Sequence, residues 1–183
     1  MNEEITRAEF SEAFGICRKI FSLKLEDYGA SWRLMRPESL TDQILIKANR
    51  IRTLETKGYA RVNEGILDEF IGIVNYGIIA LIQLELGFAD SKDISSQEAL
   101  DLYEKYERQA TELMLRKNHD YDEIWRQMRV SSYTDLILMK VMRTKEIEDH
   151  QGSAKISEGI DANYMDMINY SIFAIIKLGN PRE

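Results

Sequence analysis

The chain has 183 residues, a length that suits one compact domain, residues 1–183. Its formal net charge of −7 leaves no broad basic surface for a phosphate backbone, so nucleic acid is not an expected partner. A single cysteine, Cys17, excludes a disulfide framework and a thiolate metal site.

The predicted elements are all helices. Only two prolines occur, Pro37 and Pro181, and the segments between turn residues are longer than typical strands. Thr6 and Glu9 have the spacing of a capping box, which predicts a first helix that runs to about Leu25.

Two more helices are predicted in the first half. Ser39 followed by Asp42 predicts the start of the second, which continues to about Thr56. Asn63 is the expected cap of a long third helix that ends at Leu86.

The second half repeats this order of helices. Residues 88–94 are predicted to form a short polar linker, after which Ser95 and Glu98 predict the start of the fourth helix. Ser132 and Ser157 are the expected starts of the fifth and sixth helices.

Two segments bear on cell location. Residues 1–5 are acidic, and no apolar run follows them, unlike a secretory signal. The stretch from Phe70 to Leu86 contains polar residues and is shorter than the ~20 residues of a membrane span. We therefore expect a cytoplasmic protein with no membrane partner.

One pattern of polar and aromatic residues occurs twice in the chain, in the same order and at the same spacing. The repeated pairs are Lys24 and Lys117, Asp27 and Asp120, Tyr28 and Tyr121, Trp32 and Trp125, Arg33 and Arg126, Met35 and Met128, and Arg36 and Arg129. After them come Lys47 and Lys140, Arg50 and Arg143, and, with one residue inserted in the second copy, Asn75 and Asn169.

The repetition predicts an all-α bundle of about six main helices, made of duplicated three-helix units. The first unit spans residues 6–87 and the second spans residues 95–180. Each unit would expose an apolar face on its own, so we expect the two to pack as a fused pseudo-dimer. Whether the whole chain also forms a homodimer is left open.

The residues of the first repeated pattern suit a nucleotide. Tyr and Trp rings can stack on a base, and Lys and Arg side chains can bind phosphates. The candidates are Lys24, Asp27, Tyr28, Trp32, Arg33 and Arg36, with Lys117, Asp120, Tyr121, Trp125, Arg126 and Arg129. In the alternative, the aromatic rings anchor a loop to the core and the charged groups remain in solvent.

A second cluster consists of basic pairs one helical turn apart. Lys47 and Arg50 share a face of the second helix, and Lys140 and Arg143 share the equivalent face of the fifth. Such a pair can complete a phosphate site, or it can form ion pairs with nearby acids.

A third cluster is a polar stripe on the third and sixth helices. Carboxylate and amide oxygens gathered in this way suit Mg²⁺, which also binds substrate phosphates. Structural hydrogen bonds and the helix dipole are the alternative explanation. The stripe consists of Glu64, Asp68 and Asn75 in the first half, and Glu158, Asp166 and Asn169 in the second.

Three segments together resemble the nucleotide modification associated domain 1 family. They are the Lys-x-x-Asp-Tyr-Gly-x-x-Trp segment from Lys24 to Trp32, the Lys-x-x-Arg segment at Lys47, and the Glu-Gly-Ile helix that contains Asn75 and Tyr76. That family is similar to the all-α nucleoside triphosphate pyrophosphohydrolases, the MazG-like and dimeric dUTPase-like group. The resemblance implies a helical bundle that holds Mg²⁺, or Mn²⁺, on carboxylates and hydrolyses a nucleotide between its α and β phosphates.

The sequence departs from the MazG-like acidic motifs. Where that group has a Glu-x-x-Glu pair, this chain has the two Lys-x-x-Arg segments. Where it has a Glu-x-x-Asp pair, the first half reads Glu69-x-x-Gly72 and the second reads Asn163-x-x-Asp166, so each copy keeps one acid.

The resemblance therefore implies an incomplete ligand set in each half. The implied metal ligands are Glu64 and Asp68, or Glu158, Asp161 and Asp166, pooled across the pseudo-twofold axis. Glu64, Asp68, Glu158 and Asp166 are also the candidate catalytic residues.

Three functions remain open at this point. The first is a Mg²⁺-dependent hydrolase of a nucleoside triphosphate or modified nucleotide, with Trp32 or Trp125 stacked on the base. The second is a nucleotide-binding module without catalysis. The third is a structural or interaction protein.

Overall fold

The computed structural model describes residues 3–58, 65–150 and 159–179, and every regular element in those residues is helical. The α-helices are α1 (Glu3–Tyr28), α2 (Pro37–Lys57), α3 (Ile66–Leu86), α4 (Ser96–Tyr121), α5 (Val130–Asp149) and α6 (Ile160–Gly179). A short 3₁₀ helix follows α1 at Ser31–Leu34, and another follows α4 at Ile124–Gln127. The predicted all-α class is confirmed, and both halves have the same order of elements.

The predicted start of α4 is confirmed. Ser95 is the N-cap, and its hydroxyl oxygen accepts a hydrogen bond from the Glu98 backbone N–H at 3.2 Å. The Glu98 carboxylate in turn accepts one from the Ser95 backbone N–H at 2.8 Å. This is the reciprocal pair of a capping box.

Three other predicted starts are wrong. α1 begins at Glu3, so Thr6 lies inside the helix and is fully buried. α2 begins at Pro37, whose fixed φ favours the first helical position, and not at Ser39. α5 likewise begins at Val130, before Ser132.

Two further predicted caps, Asn63 and Ser157, lie outside the described residues.

The six helices form three layers. α3 and α6 pack against each other in the middle layer. α2 and α5 pack together on one side of that layer, and α1 and α4 pack together on the other. Each layer therefore pairs a helix of the first half with the corresponding helix of the second.

Helix α3 is 21 residues long and apolar enough, by length and composition alone, to cross a membrane. In its most apolar window, 72% of the residues are buried against the other helices. Its hydrophobic character is thus accounted for by its central position in the bundle.

Two reciprocal hydrogen bonds join α2 and α5. The Thr41 hydroxyl donates to Oε1 of Glu148 at 2.7 Å, and the equivalent Thr134 hydroxyl donates to Oε1 of Glu55 at 3.0 Å. Both threonines are fully buried. Burial raises the pKa of both carboxyl groups, because it disfavours the charged form.

The middle layer requires a residue without a side chain at Gly77. A Cβ atom at this position would lie 2.7 Å from Cγ1 of Ile168 on α6. We predict that Gly77→Ala lowers the free energy of unfolding by about 1 to 2 kcal/mol, because the branched Ile168 side chain has little freedom to move away. Urea unfolding followed by circular dichroism measures the change.

Gly15→Ala is the matched control for this substitution. Gly15 also lies inside a helix, but a Cβ atom added there would have nothing within 4 Å. Alanine there should raise stability by about 0.5 to 1 kcal/mol through helix propensity. Equal effects of the two substitutions would contradict close packing of α3 on α6.

Glu148→Gln should stabilise the protein at neutral pH. The folded protein binds the Glu148 proton more tightly than the unfolded chain, so stability falls as pH rises from the ordinary value of 4.5 through the raised pKa. Glutamine keeps an oxygen for the Thr41 hydroxyl and carries no charge.

The gain from Glu148→Gln should therefore be present at pH 7 and shrink below pH 4.5. Unfolding measured across this range tests the prediction. Glu12→Gln, at an exposed position of α1, is the control. A gain that does not depend on pH would show that the charge of Glu148 is not its cause.

Candidate functional site

Two cavities occupy equivalent positions in the two halves. The first cavity has a volume of about 490 Å³ and lies among α1, the first 3₁₀ helix, α2 and α3. The second cavity has a volume of about 1410 Å³ and lies among α4, the second 3₁₀ helix, α5 and α6. Equivalent residues line both: Lys24 and Lys117, Tyr28 and Tyr121, Trp32 and Trp125, Met35 and Met128, Lys47 and Lys140, and Asn75 and Asn169.

The tryptophans of the cavities belong to the hydrophobic core. Trp32 is 9% exposed and Trp125 is 4% exposed. The Trp125 ring stacks on Phe173, with 4.4 Å between the ring centroids and 13° between the planes. The predicted stacking of a base on Trp32 or Trp125 needs an accessible ring, and the structure instead places both rings in the core.

The tyrosines are the accessible aromatic residues of the cavities. Tyr28 is 48% exposed and Tyr121 is 68% exposed. Each follows its cavity lysine by one helical turn at the end of α1 or α4. A flat ligand group can therefore reach these rings from solvent.

Arg33 lies outside the cavities and fixes the first 3₁₀ helix to the rest of the bundle. Its guanidinium donates to Asp93 Oδ1 at 2.7 Å, to the Gly87 carbonyl at 2.6 Å and to the Gln83 side chain. The hydrogen bond from Arg33 lowers the pKa of Asp93. Arg33 was predicted to contact phosphate, but the structure places its side chain outside the cavities, where it is 3% exposed and bound to these partners.

Arg126 has the same kind of role in the second half. It donates to the two Glu9 carboxylate oxygens at 2.5 and 3.2 Å and to the Thr6 hydroxyl at 3.0 Å. The second 3₁₀ helix is thereby fixed to α1. Arg126 does not line the second cavity.

Arg50 and four other predicted nucleotide-binding residues also lie away from the cavity linings. Arg36 lies over the Phe88 ring, with 5.7 Å from its guanidinium carbon to the ring centroid. Asp27, Asp120 and Arg129 are exposed at the surface. The structure does not bring these side chains into either cavity.

The basic helix pairs meet a buried carboxylate in each half. In the first half, Glu69 is 5% exposed and binds Lys47 Nζ at 3.4 Å and the Arg50 guanidinium. Glu69 was not among the residues predicted for the site. The sequence feature that could have indicated Glu69 is the Glu69-x-x-Gly72 segment, whose acid faces the helix that contains the Lys-x-x-Arg segment.

In the second half the buried carboxylate is Asp166, which is 7% exposed. Its Oδ1 binds Lys117 Nζ at 2.6 Å, and its Oδ2 binds Lys140 Nζ at 2.7 Å. Both Asp166 oxygens therefore bind ammonium groups. Of the two roles considered for the basic pairs in the sequence analysis, this is the ion pair with a nearby acid.

The paired asparagines hold helices together at the cavity walls. Asn75 Nδ2 donates to the Cys17 carbonyl at 3.1 Å, and Asn169 Nδ2 donates to the Ala110 carbonyl at 3.0 Å. Asn75 Oδ1 accepts from the Tyr103 hydroxyl at 2.8 Å. Asn169 Oδ1 has no partner in the described part of the chain, because Phe10 stands at the position equivalent to Tyr103.

The remaining predicted metal ligands do not converge. Asp68 is exposed at the first cavity, and its Oδ2 accepts from the Gly65 backbone N–H at 3.1 Å, as a capping residue does. Asp161 is exposed and lines a separate groove beside α1 and α4. Glu64 and Glu158 lie outside the described residues.

The described residues do not fit a magnesium ion. Among them, no group of three or more His, Cys, Asp or Glu side chains is placed to hold a metal. Mg²⁺ binds through carboxylate oxygens, waters and phosphates, whereas both Asp166 oxygens are bound by lysines.

Comparison with known proteins identifies one family. A family model described as nucleotide modification associated domain 1 matches residues 24–84 and, separately, residues 117–178. Both matches contain the lysine and aromatic residues of a cavity. Searches among curated proteins and among solved structures found no match.

Asp166→Asn should destabilise the protein by about 3 kcal/mol, because it removes the buried carboxylate charge that binds both the Lys117 ammonium and the 8% exposed Lys140 ammonium. Thermal and urea unfolding measure the loss. Asp161→Asn, at an exposed position on the same helix, should change stability by no more than about 0.5 kcal/mol. An unchanged midpoint for Asp166→Asn would mean that this ion pair does not stabilise the fold.

Proposed function

The chain belongs to the nucleotide modification associated domain 1 family, and from this premise we propose that it binds nucleotides in its two cavities. One observation supports the proposal. Each cavity combines an accessible tyrosine at its rim with two lysines and an asparagine, at equivalent positions in the two halves.

The tyrosines are suited to the base of the nucleotide. Tyr28 and Tyr121 present accessible ring faces, and stacking of a base on such a ring is favourable for any base. The proposal therefore assigns to these tyrosines the stacking that was predicted for Trp32 and Trp125. The tryptophans support the cavity wall from the core side.

The lysines are suited to the phosphates. An ammonium group has three N–H donors, so Lys47 and Lys140 can bind a phosphate oxygen while they remain bound to Glu69 and Asp166. The carboxylates hold the lysine side chains in one position. A ligand then meets donors that are already ordered, which lowers the entropy cost of binding.

Metal-dependent hydrolysis of the MazG-like kind is a second candidate. It is favoured by Asp68, which is exposed and lines the first cavity beside Glu69. The described carboxylates do not form a magnesium site, so this candidate depends on Glu64 or Glu158. The cation would be Mg²⁺ or Mn²⁺, and we derive no catalytic step through it.

We predict that Tyr28→Ala and Tyr121→Ala each weaken nucleotide binding by about 1 to 3 kcal/mol at the cavity concerned, because each removes a stacking surface. Isothermal titration calorimetry with the common ribo- and deoxynucleoside mono- and triphosphates measures this. Tyr→Phe at both positions should keep the affinity. Phe88→Ala, also exposed but outside the cavities, should leave it unchanged.

The same nucleotides incubated with Mg²⁺ or Mn²⁺, and with a chelator as control, separate the two candidates. Binding without release of pyrophosphate supports the binding protein. Metal-dependent release of pyrophosphate supports the hydrolase. If no nucleotide binds and none is hydrolysed, the proposal fails, and a structural or interaction role for the bundle remains.

A further inference from the structure

The two cavities differ in the position of one buried carboxylate. The first half has Glu69, and its equivalent in the second half is the neutral Asn163. One helical turn later the relation is reversed, because Gly72 in the first half corresponds to Asp166 in the second. Of these two helix positions, each half therefore has a buried acid at only one, and that position is one helical turn later in the second half.

In the first cavity, the position of the buried acid Glu69 determines which basic residue of the lining it does not bind. Glu69 engages Lys47 and Arg50, both on α2. The Lys47 side chain lies where a side chain at position 72 would begin, because a Cβ atom on Gly72 would be 2.5 Å from Lys47 Cε. Lys24 lines the cavity from α1, and the described structure shows no ion pair or hydrogen bond for its ammonium group.

In the second cavity the unengaged basic residue lies on a different wall. Asp166 engages Lys117 from α4 and Lys140 from α5. Arg143 lines the cavity from α5, at the position equivalent to Arg50, which binds Glu69 in the first half. Because Asn163 carries no charge, the Arg143 guanidinium has no ion pair or hydrogen bond within residues 3–58, 65–150 and 159–179.

Size and charge also differ between the cavities. The second, at about 1410 Å³, has nearly three times the volume of the first, at about 490 Å³. Its lining has three basic and two acidic residues, whereas the lining of the first has two of each. Arginine also binds phosphate through two parallel N–H groups, which lysine cannot do.

We propose that the two cavities select nucleotides by phosphate number, with Arg143 directing nucleoside triphosphates to the second cavity and Lys24 directing nucleoside monophosphates to the first. This rests on the proposed function. The larger, more positive cavity accommodates the longer and more highly charged phosphate chain. The position of the buried carboxylate, Glu69 or Asp166, is the specificity determinant.

The two tryptophans allow each cavity to be followed separately. The chain contains two Trp residues, and one lines each cavity. Full-length protein labelled with 5-fluorotryptophan therefore gives one ¹⁹F resonance per cavity, and the Trp32→Phe variant assigns them. Titration with a monophosphate and the triphosphate of the same nucleoside, without metal, yields an apparent affinity for each cavity.

The expected result is a crossed preference. The Trp125 resonance should respond to the triphosphate at a concentration about tenfold lower than to the monophosphate, and the Trp32 resonance should respond to the monophosphate at the lower concentration. Arg143→Met should weaken the triphosphate response of Trp125 by about tenfold and leave Trp32 unaffected. Lys24→Met should weaken only the Trp32 response.

Arg36→Met and Arg129→Met are the matched controls, because both arginines are exposed and lie outside the cavity linings. The double variant Glu69→Asn with Gly72→Asp moves the acid of the first half to the position that it has in the second. In that background, Lys24→Met should have no further effect, because the new carboxylate engages Lys24.

Two results would overturn the inference. If both resonances respond with the same preference, or if Arg143→Met and Lys24→Met weaken both responses alike, the cavities are not selective but the proposed nucleotide binding stands. If neither resonance responds to any nucleotide and calorimetry detects no heat, the proposed function fails, and the inference fails with it.

Discussion

The contact between α3 and α6 determines where the other parts of this protein lie. The two are the most apolar of the described helices, and most residues of each are buried. Because Gly77 faces Ile168, their backbones approach closely. The remaining helices cover this pair in two layers, α2 with α5 and α1 with α4, so each cavity forms where one central helix meets its own outer helices.

The polar residues on the central helices follow from the same arrangement. A carboxylate on α3 or α6 that faces α2 or α5 is removed from water, and it is tolerated only beside basic partners. Glu69 and Asp166 have such partners, and the repeated Lys-x-x-Arg segments provide them. These segments therefore provide the positive charge that the buried acids require.

The sequence was sufficient for the fold class, because helix periodicity, scarce prolines and the repeated pattern are all local or countable signals. It was insufficient for the roles of several polar residues. Arg33 and Arg36 look alike in the repeat, yet Arg33 is enclosed by Asp93, Gly87 and Gln83, while Arg36 is at the surface. Which of two neighbouring arginines is buried depends on the 3₁₀ helix, and no sequence pattern indicated that element.

The roles of Trp32 and Trp125 were also difficult to predict from the sequence. An aromatic residue at the end of a helix is compatible with a stacking site or with a core anchor, and only tertiary packing distinguishes them. Trp125 lies on Phe173, and Trp32 tilts against Phe21 at 6.2 Å between ring centroids. Each ring is thus held by an apolar neighbour from another helix, and the nearby tyrosines remain accessible.

The two halves place their buried acid at different positions, and each acid has basic partners. In the first half Lys47 binds Glu69 and also lies beside Gly72, and in the second half Lys140 binds Asp166. A buried acid therefore has a basic partner at the level that it occupies in each half. For a ligand the two positions differ. Within the described residues, the basic side chain that the buried acid does not bind is Lys24 of α1 in the first cavity and Arg143 of α5 in the second. The requirement that a buried acid has a basic partner can therefore be met at either position of the acid. The position that is used determines which basic side chain of the cavity is not bound by the acid, and in this respect the two cavities differ.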